Sequence, residues 1–197
     1  MAKNHHEEKV ALDRLVFFSD AVFAIAITLL ALEIHLPVEV GPLSNDELYT
    51  ALMETWPKIL GFVISFLVIG SYWIVHHRRF SHLTGYDRRL VFLNLLLLMA
   101  IAFVPFPTAI LSESGNRTAT IFYALVMTIT GLLSGVLWWY ASSQRLIEEP
   151  ARSRRHTALG VLVTPAIFVL SIGMAYLDPG LARLTWILIV PALSLIR

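Results

Sequence analysis

Asp20 is the residue whose type and position most strongly indicate a functional role, because it is a carboxylate inside the first apolar stretch of the chain. It is the only charged side chain between Leu15 and Leu32, a segment that would cover about 27 Å as a helix at about 1.5 Å per residue. A carboxylate inside a bilayer is costly and needs a partner or a function. Asp20 therefore either packs against hydrogen-bond donors of other helices or takes part in moving ions or protons.

Polar residues near the ends of two later apolar stretches share the predicted depth of Asp20 in the membrane. They are Trp73, His76, His77, Asp87 and Asn94. Indole, imidazole and amide N–H groups can satisfy the lone pairs of a carboxylate. We therefore predict a buried network that locks three helices, with either His76 or His77 as the partner of the carboxylate. No metal site is expected at the two histidines, because adjacent helical residues diverge by about 100° and no third ligand has metal spacing.

Apolar residues of the same first stretch face away from this carboxylate. At about 100° per residue, one side of the helix carries Phe18, Ile25, Leu29 and Leu32, which we call the apolar stripe, and Thr28 borders it. The carboxylate and the apolar stripe cannot face the same environment. The residues alone leave two arrangements open. Either the stripe contacts lipid or the protein core and Asp20 faces a polar cavity, or Asp20 is buried in the bundle and the stripe faces a different environment.

Composition places the protein in a membrane. Hydrophobic residues make up 57% of the 197 residues and charged residues 15%, with a mean hydropathy of +0.71, which is too apolar for a soluble domain. The pattern predicts an all-α membrane protein with six transmembrane helices in a single domain, residues 1–197. The predicted spans are 15–36, 56–75, 90–111, 118–141, 157–177 and 181–196. The longest extramembrane segment, Pro37–Thr55, is too short for a soluble domain.

The distribution of basic residues predicts the orientation. All but three of the 15 Lys and Arg residues fall in the N-terminal segment, the 76–89 and 142–156 loops and the C-terminus. Because alternate loops share one side of the membrane, this asymmetry places both termini in the cytoplasm. Lys58, Arg117 and Arg183 fall on the other side. The net charge of +1 argues against a nucleic-acid partner, and the lack of cysteine excludes disulfides and thiolate metal sites.

Glycines and prolines in or near the predicted spans affect how the helices pack. Gly131 and Gly135 form a GxxxG pair that would allow close helix approach. Prolines within or near the predicted spans should kink or unwind them locally, and these are Pro105, Pro107, Pro165 and Pro191.

The polar residues of the first span also form a motif. Arg14-x-x-x-Phe18-Ser19-Asp20, followed by Ala-Val-Phe-Ala-Ile-Ala-Ile-Thr-Leu-Leu, resembles the RxxxFSD signature of the transmembrane protein 175 family. These proteins are endosomal and lysosomal potassium channels and their prokaryotic relatives. The similarity continues in Trp73-x-x-His76-x-x-x-Phe80 and Asp87-x-x-Leu90-x-x-x-Asn94, and it covers essentially the whole chain.

This resemblance implies a potassium-permeable leak channel in a prokaryotic cytoplasmic membrane. It implies four identical subunits in the lipid bilayer, with the first helix of each lining the pore and no TVGYG filter or re-entrant pore loop. Ile25, Leu29 and Leu32 match the constriction, and Thr28 matches a threonine associated with selectivity. Helix-locking roles are implied for Arg14, Phe18, Ser19, Asp20, Trp73, His76 and Asn94. The permeant potassium ion is the only ion expected, with no cofactor and no resident metal.

Two other classes of function are weighed against the channel. A proton-coupled secondary transporter would use Asp20 and His76 or His77 as a proton relay. Against it stand the missing internal repeat and the missing acid near the bilayer centre. An enzyme is not expected, because the sequence has no HExxH, no GxSxG and no paired intramembrane carboxylates, so no catalytic residue is assigned.

Overall fold

The structure is a computed structural model that describes the backbone of residues 2–37, 41–147 and 151–188 and the side chains of 9–37, 41–147 and 163–186. Its elements are α1 Ala2–Leu32, α2 Asn45–Phe80, α3 Arg88–Phe103, α4 Pro105–Ser114, α5 Arg117–Ser143, α6 Ala151–Ala175, α7 Pro179–Leu184 and a 3-10 turn Thr185–Leu188. Within these ranges the sole β pairing is an isolated bridge between Leu83 and Ile147. The all-α prediction is confirmed.

Four segments are long and apolar enough to cross a membrane. They are Lys9–Leu32, Asn45–Phe80, Arg88–Ser114 and Arg117–Ser143, and they confirm the first four predicted spans. The described apolar part of α6 is shorter, Val163–Ala175. The last predicted span, 181–196, begins as α7 and the 3-10 turn, and its remainder lies outside the described residues.

The second span begins well before its predicted start at residue 56. Ser44 caps α2, because its hydroxyl oxygen accepts from the backbone N–H of Glu47 at 3.4 Å. In return, the Glu47 carboxylate accepts from the Ser44 backbone N–H at 2.8 Å. This reciprocal cap satisfies two N–H groups that a helix end leaves unpaired. The predicted loop Pro37–Thr55 is therefore partly helical, which hydropathy cannot detect because the first turns of α2 are polar.

The third span is broken where proline requires it. Pro105 has no backbone N–H, so α3 stops at Phe103 and α4 restarts with Pro105 in its first turn. Val104 bridges the break by donating its N–H to the carbonyl of Ile101 at 3.1 Å. The predicted interruption at Pro105 is confirmed, whereas α6 continues through Pro165 as a helix. Pro107 lies inside α4, and Pro191 lies outside the described residues.

Gly131 lies where α5 approaches both α2 and α6 closely. A Cβ at this position would lie 2.9 Å from Cδ of Pro165 and 2.9 Å from the hydroxyl oxygen of Tyr72. Gly131→Ala is therefore expected to lower the free energy of unfolding by about 1–3 kcal/mol through overpacking. Thermal unfolding of the purified protein in detergent measures this. Gly70→Ala is the matched control, because its Cβ meets no atom within 4 Å; equal melting of both variants would contradict the close approach.

Candidate functional site

Helix α1 has two opposed faces, which the structure separates clearly. Ser19, Phe23, Ala26 and Leu30, spaced four, three and four residues apart, are each at most 1% exposed and pack inside the protomer. The apolar stripe lies outside this packing, with exposed fractions of 51% for Phe18, 58% for Ile25, 39% for Leu29 and 75% for Leu32. The core alternative for the stripe is therefore wrong. Its residues face something outside the described part of the protomer.

A buried hydrogen-bonded chain joins α1, α3 and α2. Nδ2 of Asn94 donates to the hydroxyl oxygen of Ser19 at 2.9 Å, and Oδ1 of Asn94 lies 2.9 Å from Nε2 of His76. The Ser19 hydroxyl in turn donates to the carbonyl of Leu15 at 2.8 Å. Because Oδ1 of Asn94 can only accept, Nε2 of His76 carries the hydrogen. All three side chains are at most 3% exposed, so the chain fixes the mutual position of three helices.

Aromatic rings hold His76 in this position. Phe80 stacks on its imidazole with ring centroids 3.9 Å apart, and Phe23 of α1 lies at 5.3 Å. The sequence spacing Trp73-x-x-His76-x-x-x-Phe80 places residue 80 one turn after the histidine, on the same face. That spacing was available in the sequence, but the role of Phe80 as a stacking partner was missed.

Asp20 belongs to a second, partly exposed cluster beside the buried chain. The indole Nε1 of Trp73 donates to Oδ1 of Asp20 at 2.8 Å. Nδ1 of His77 lies 3.7 Å from Oδ2 of Asp20, whereas Nε2 of His76 bonds to Asn94. The structure thus brings six of the predicted residues together, but in two clusters of three rather than one network around the carboxylate. His77 is the histidine next to Asp20.

Asp87, which was predicted to lie at the same depth as Asp20, does not join either cluster. Its Oδ1 accepts from the backbone N–H of Leu90 at 2.7 Å and caps α3, and its Oδ2 accepts a hydrogen bond from the Tyr140 hydroxyl of α5. These two bonds, that of Tyr140 above all, lower the pKa of Asp87 below its usual value. Asp87 thus joins the ends of α3 and α5 instead of serving the carboxylate.

Three further predicted residues of α1 are exposed. Arg14 has no acidic partner within the described part of the chain, and Phe18 lies on the apolar stripe rather than in either cluster. Thr28 is exposed beside the stripe, and its hydroxyl donates to the carbonyl of Ile25 at 2.9 Å. This bond occupies the hydroxyl hydrogen and leaves the oxygen as an acceptor.

The Asp20 cluster predicts different outcomes for two substitutions of the same residue. Asp20→Ala removes the acceptor of the Trp73 N–H and should lower the free energy of unfolding by about 1 kcal/mol, with reduced yield of assembled protein. Asp20→Asn keeps an acceptor oxygen and should stay close to the native protein. Size-exclusion chromatography and thermal unfolding measure both. Normal assembly of Asp20→Ala with altered ion selectivity would instead assign the carboxylate to the conduction path.

Comparison with known proteins identifies similar chains. A family model described as the endosomal/lysosomal potassium channel TMEM175 matches residues 14–105. A potassium channel of Streptomyces collinus is 40% identical over 176 residues, which cover 85% of this chain and 84% of that protein. An endosomal/lysosomal proton channel TMEM175 of Gallus gallus is 36% identical over 116 residues, which cover 56% of this chain and 23% of that protein.

A solved structure has the same fold over nearly the whole chain. It is the lysosomal potassium-selective channel TMEM175 homologue from Chamaesiphon minutus, with a TM-score of 0.83 and 30% identity. The superposition covers 94% of this chain and 97% of that chain. Fold similarity of this extent means that the helix order and packing described above are shared.

Proposed function

Because the chain belongs to the TMEM175 family, we propose that it forms a potassium-permeable ion channel whose pore is lined by α1 of each of four subunits. The family is a potassium-channel family and not an enzyme family. The four apolar spans and the bacterial relatives make the protein an integral membrane protein of a prokaryotic plasma membrane.

The observation that carries the proposal is the exposure of the apolar stripe. A membrane protein of a single protomer could expose such residues to lipid. In this protein the opposite face of α1 packs the polar clusters inside the protomer, which leaves the stripe free to face other subunits. In a fourfold assembly around α1, the same exposure places Ile25, Leu29 and Leu32 of each subunit on the axis. Four Ile25 side chains that meet there would form a narrow, dry ring, and such hydrophobic constrictions gate by dewetting.

Thr28 supplies the oxygen atoms that an apolar ring lacks. Its hydroxyl hydrogen points to the Ile25 carbonyl, so the oxygen lone pairs are available to a cation. Four such oxygens at one level could replace part of the hydration shell of potassium. We therefore assign selectivity to Thr28 and gating to the Ile25 ring next to it.

Replacement of Thr28 tests this assignment. Thr28→Ala is expected to lower the potassium-over-sodium permeability ratio by about fivefold, which corresponds to roughly 1 kcal/mol, since the oxygen is lost. Thr28→Ser keeps the hydroxyl and should keep the ratio. Reversal potentials under bi-ionic conditions measure the ratio; an unchanged ratio in Thr28→Ala would remove selectivity from this residue.

The proposed subunit comprises residues 1–197 as one domain of six transmembrane helices, with both termini in the cytoplasm and no re-entrant pore loop. This orientation puts Arg14 near the cytoplasmic mouth of the pore. A bare cation there would repel potassium, so we expect an acidic group of the same or a neighbouring subunit to pair with it. No cofactor or resident metal is part of the proposal.

Ion flux separates the channel from a proton-coupled transporter. A channel in a planar bilayer gives unitary currents and dissipates a potassium gradient passively. A transporter gives no unitary currents, and its potassium flux saturates and depends on a proton gradient. Because the Gallus gallus relative is named a proton channel, the experiment includes an arm with a proton gradient and no potassium. Coupled, saturating flux that is lost in Asp20→Asn and His77→Gln would overturn the channel in favour of the transporter.

A further inference from the structure

A cavity of about 540 Å³ lies at the end of the bundle opposite the Asp20 cluster. The first half of α2, the end of α4 and the α7 segment form its walls, and one side is open. Its walls are apolar, with Leu60, Ile64 and Leu111 among the residues that line it, and Leu184 stands at its edge, 58% exposed. The volume is within the range of sites that hold a ligand.

An aromatic side chain, Trp186, also lines the cavity. It is 2% exposed and stacks on Tyr123 with ring centroids 4.7 Å apart, and its Nε1–H is buried away from the cavity as well as from solvent. Ser65, which also lines the cavity, is already bonded to Tyr123 at 3.0 Å and to Thr108 at 2.9 Å. Both side chains therefore offer a bound molecule contact area rather than a free hydrogen-bond donor.

The rim of the cavity carries one cation in excess. Arg183 lines it and donates from Nε to the carbonyl of Pro179, but no acid of the described residues lies within ion-pair distance. Glu113 also lines the cavity, but its carboxylate lies 3.8 Å from Nζ of Lys58, which compensates its charge. An anionic group therefore fits the rim better than a neutral one.

A cation at the rim and apolar walls beyond it follow one another in the order of an anionic phospholipid. A glycerophospholipid presents its phosphate first and its acyl chains beyond. We propose that this cavity binds an anionic phospholipid, with the phosphate at Arg183 and an acyl chain along Leu60, Ile64 and Leu111.

Native mass spectrometry of the purified, delipidated full chain tests the site. Titration with phosphatidylglycerol is expected to give one lipid retained per subunit, and Arg183→Gln should weaken its binding about tenfold, by roughly 1.4 kcal/mol. Arg117→Gln is the matched control, since this second arginine lies over the ring of Tyr176 and does not line the cavity. Phosphatidylcholine and glycerol phosphate titrations separate the contributions of charge and acyl chain.

A second pair of variants keeps the test decisive if Arg183→Gln does not fold. Leu184→Trp places bulk at the edge of the cavity and should abolish retention, whereas Leu181→Trp on the same helix is exposed and should not. Equal retention in both members of either pair, or no retained phosphatidylglycerol in the native protein, would overturn the proposal. The assay needs no ion current, so its failure is independent of the proposed channel function.

Discussion

Substitution of Ile25 by alanine or asparagine is expected to raise the potassium leak about tenfold or more. In the proposed assembly, the Ile25 ring is the driest and narrowest part of the path, and a smaller or polar side chain allows water to fill it. A tenfold rise in the leak requires that the free-energy barrier to the passage of potassium falls by only about 1.4 kcal/mol. Potassium flux from proteoliposomes, at equal protein content, measures the change.

The matched control for this substitution is Ile129→Ala on α5. Ile129 is 53% exposed, close to the 58% of Ile25, so both changes remove the same atoms from similarly exposed positions. Ile129→Ala should leave the leak unchanged. If Ile25→Ala and Ile25→Asn both conduct like the native protein, the pore assignment of the apolar stripe fails.

Replacement of Asn94 by leucine is expected to have the largest effect on stability. Asn94 is fully buried and bonds to Ser19 on α1 and His76 on α2 at once. Its loss removes both interhelical bonds and leaves the Nε2–H of His76 unpaired, while the Ser19 hydroxyl keeps its bond to the Leu15 carbonyl. Single interhelical hydrogen bonds in membranes contribute about 0.6 kcal/mol on average, but each unsatisfied buried group costs about 1–3 kcal/mol. We expect a loss of about 2–4 kcal/mol, measured by unfolding in mixed detergent micelles.

Thr130→Val is the control for the removal of a buried polar group. Thr130 is also fully buried, but its hydroxyl bonds only to the Val126 carbonyl of its own helix. Removal of this hydroxyl should therefore leave the free energy of unfolding nearly unchanged. The double variant Ser19→Ala with Asn94→Leu should lose less free energy of unfolding than the sum of the two single losses. Both substitutions remove the same hydrogen bond between Asn94 and Ser19. Additive effects, or native stability of Asn94→Leu, would contradict the role of this chain in holding the helices.

The opposed faces of α1 could be predicted from the sequence because they depend on helical periodicity alone. The 100° step separates Ser19 and Asp20 from Ile25 and Leu29 whatever the neighbours are. The break at Pro105 was equally predictable, since it follows from a missing N–H. These features are local, and local geometry is what a single sequence specifies best.

The division of the polar residues into two clusters could not be predicted. His76 and His77 are adjacent on α2 at one depth, so the choice between them depends on the rotation of α2 against α1. Phe23 of α1 packs against His76 and helps to determine that rotation, and such a contact is between distant parts of the chain. The bond between Asp87 and Tyr140 of α5 could not be predicted for the same reason.

The cavity beside Trp186 was not predicted at all. Its walls come from α2, α4 and the α7 segment, and no spacing within one element indicates a cavity between several. The three basic residues outside the predicted cytoplasmic loops were visible in the sequence. The sequence did not predict that Glu113 would pair with Lys58 and that Arg183 would have no carboxylate partner among the described residues.

The most direct test of the pore is the accessibility of a single thiol at residue 25. The chain contains no cysteine, so Ile25→Cys introduces the only thiol, and four thiols on a common axis would bind a soft metal ion such as Cd²⁺. Bilayer currents through Ile25→Cys should be blocked by micromolar-range Cd²⁺ and restored by a chelator, while currents through Ile129→Cys should not respond. Currents through Ile25→Cys that ignore Cd²⁺ would show that the ion path runs elsewhere.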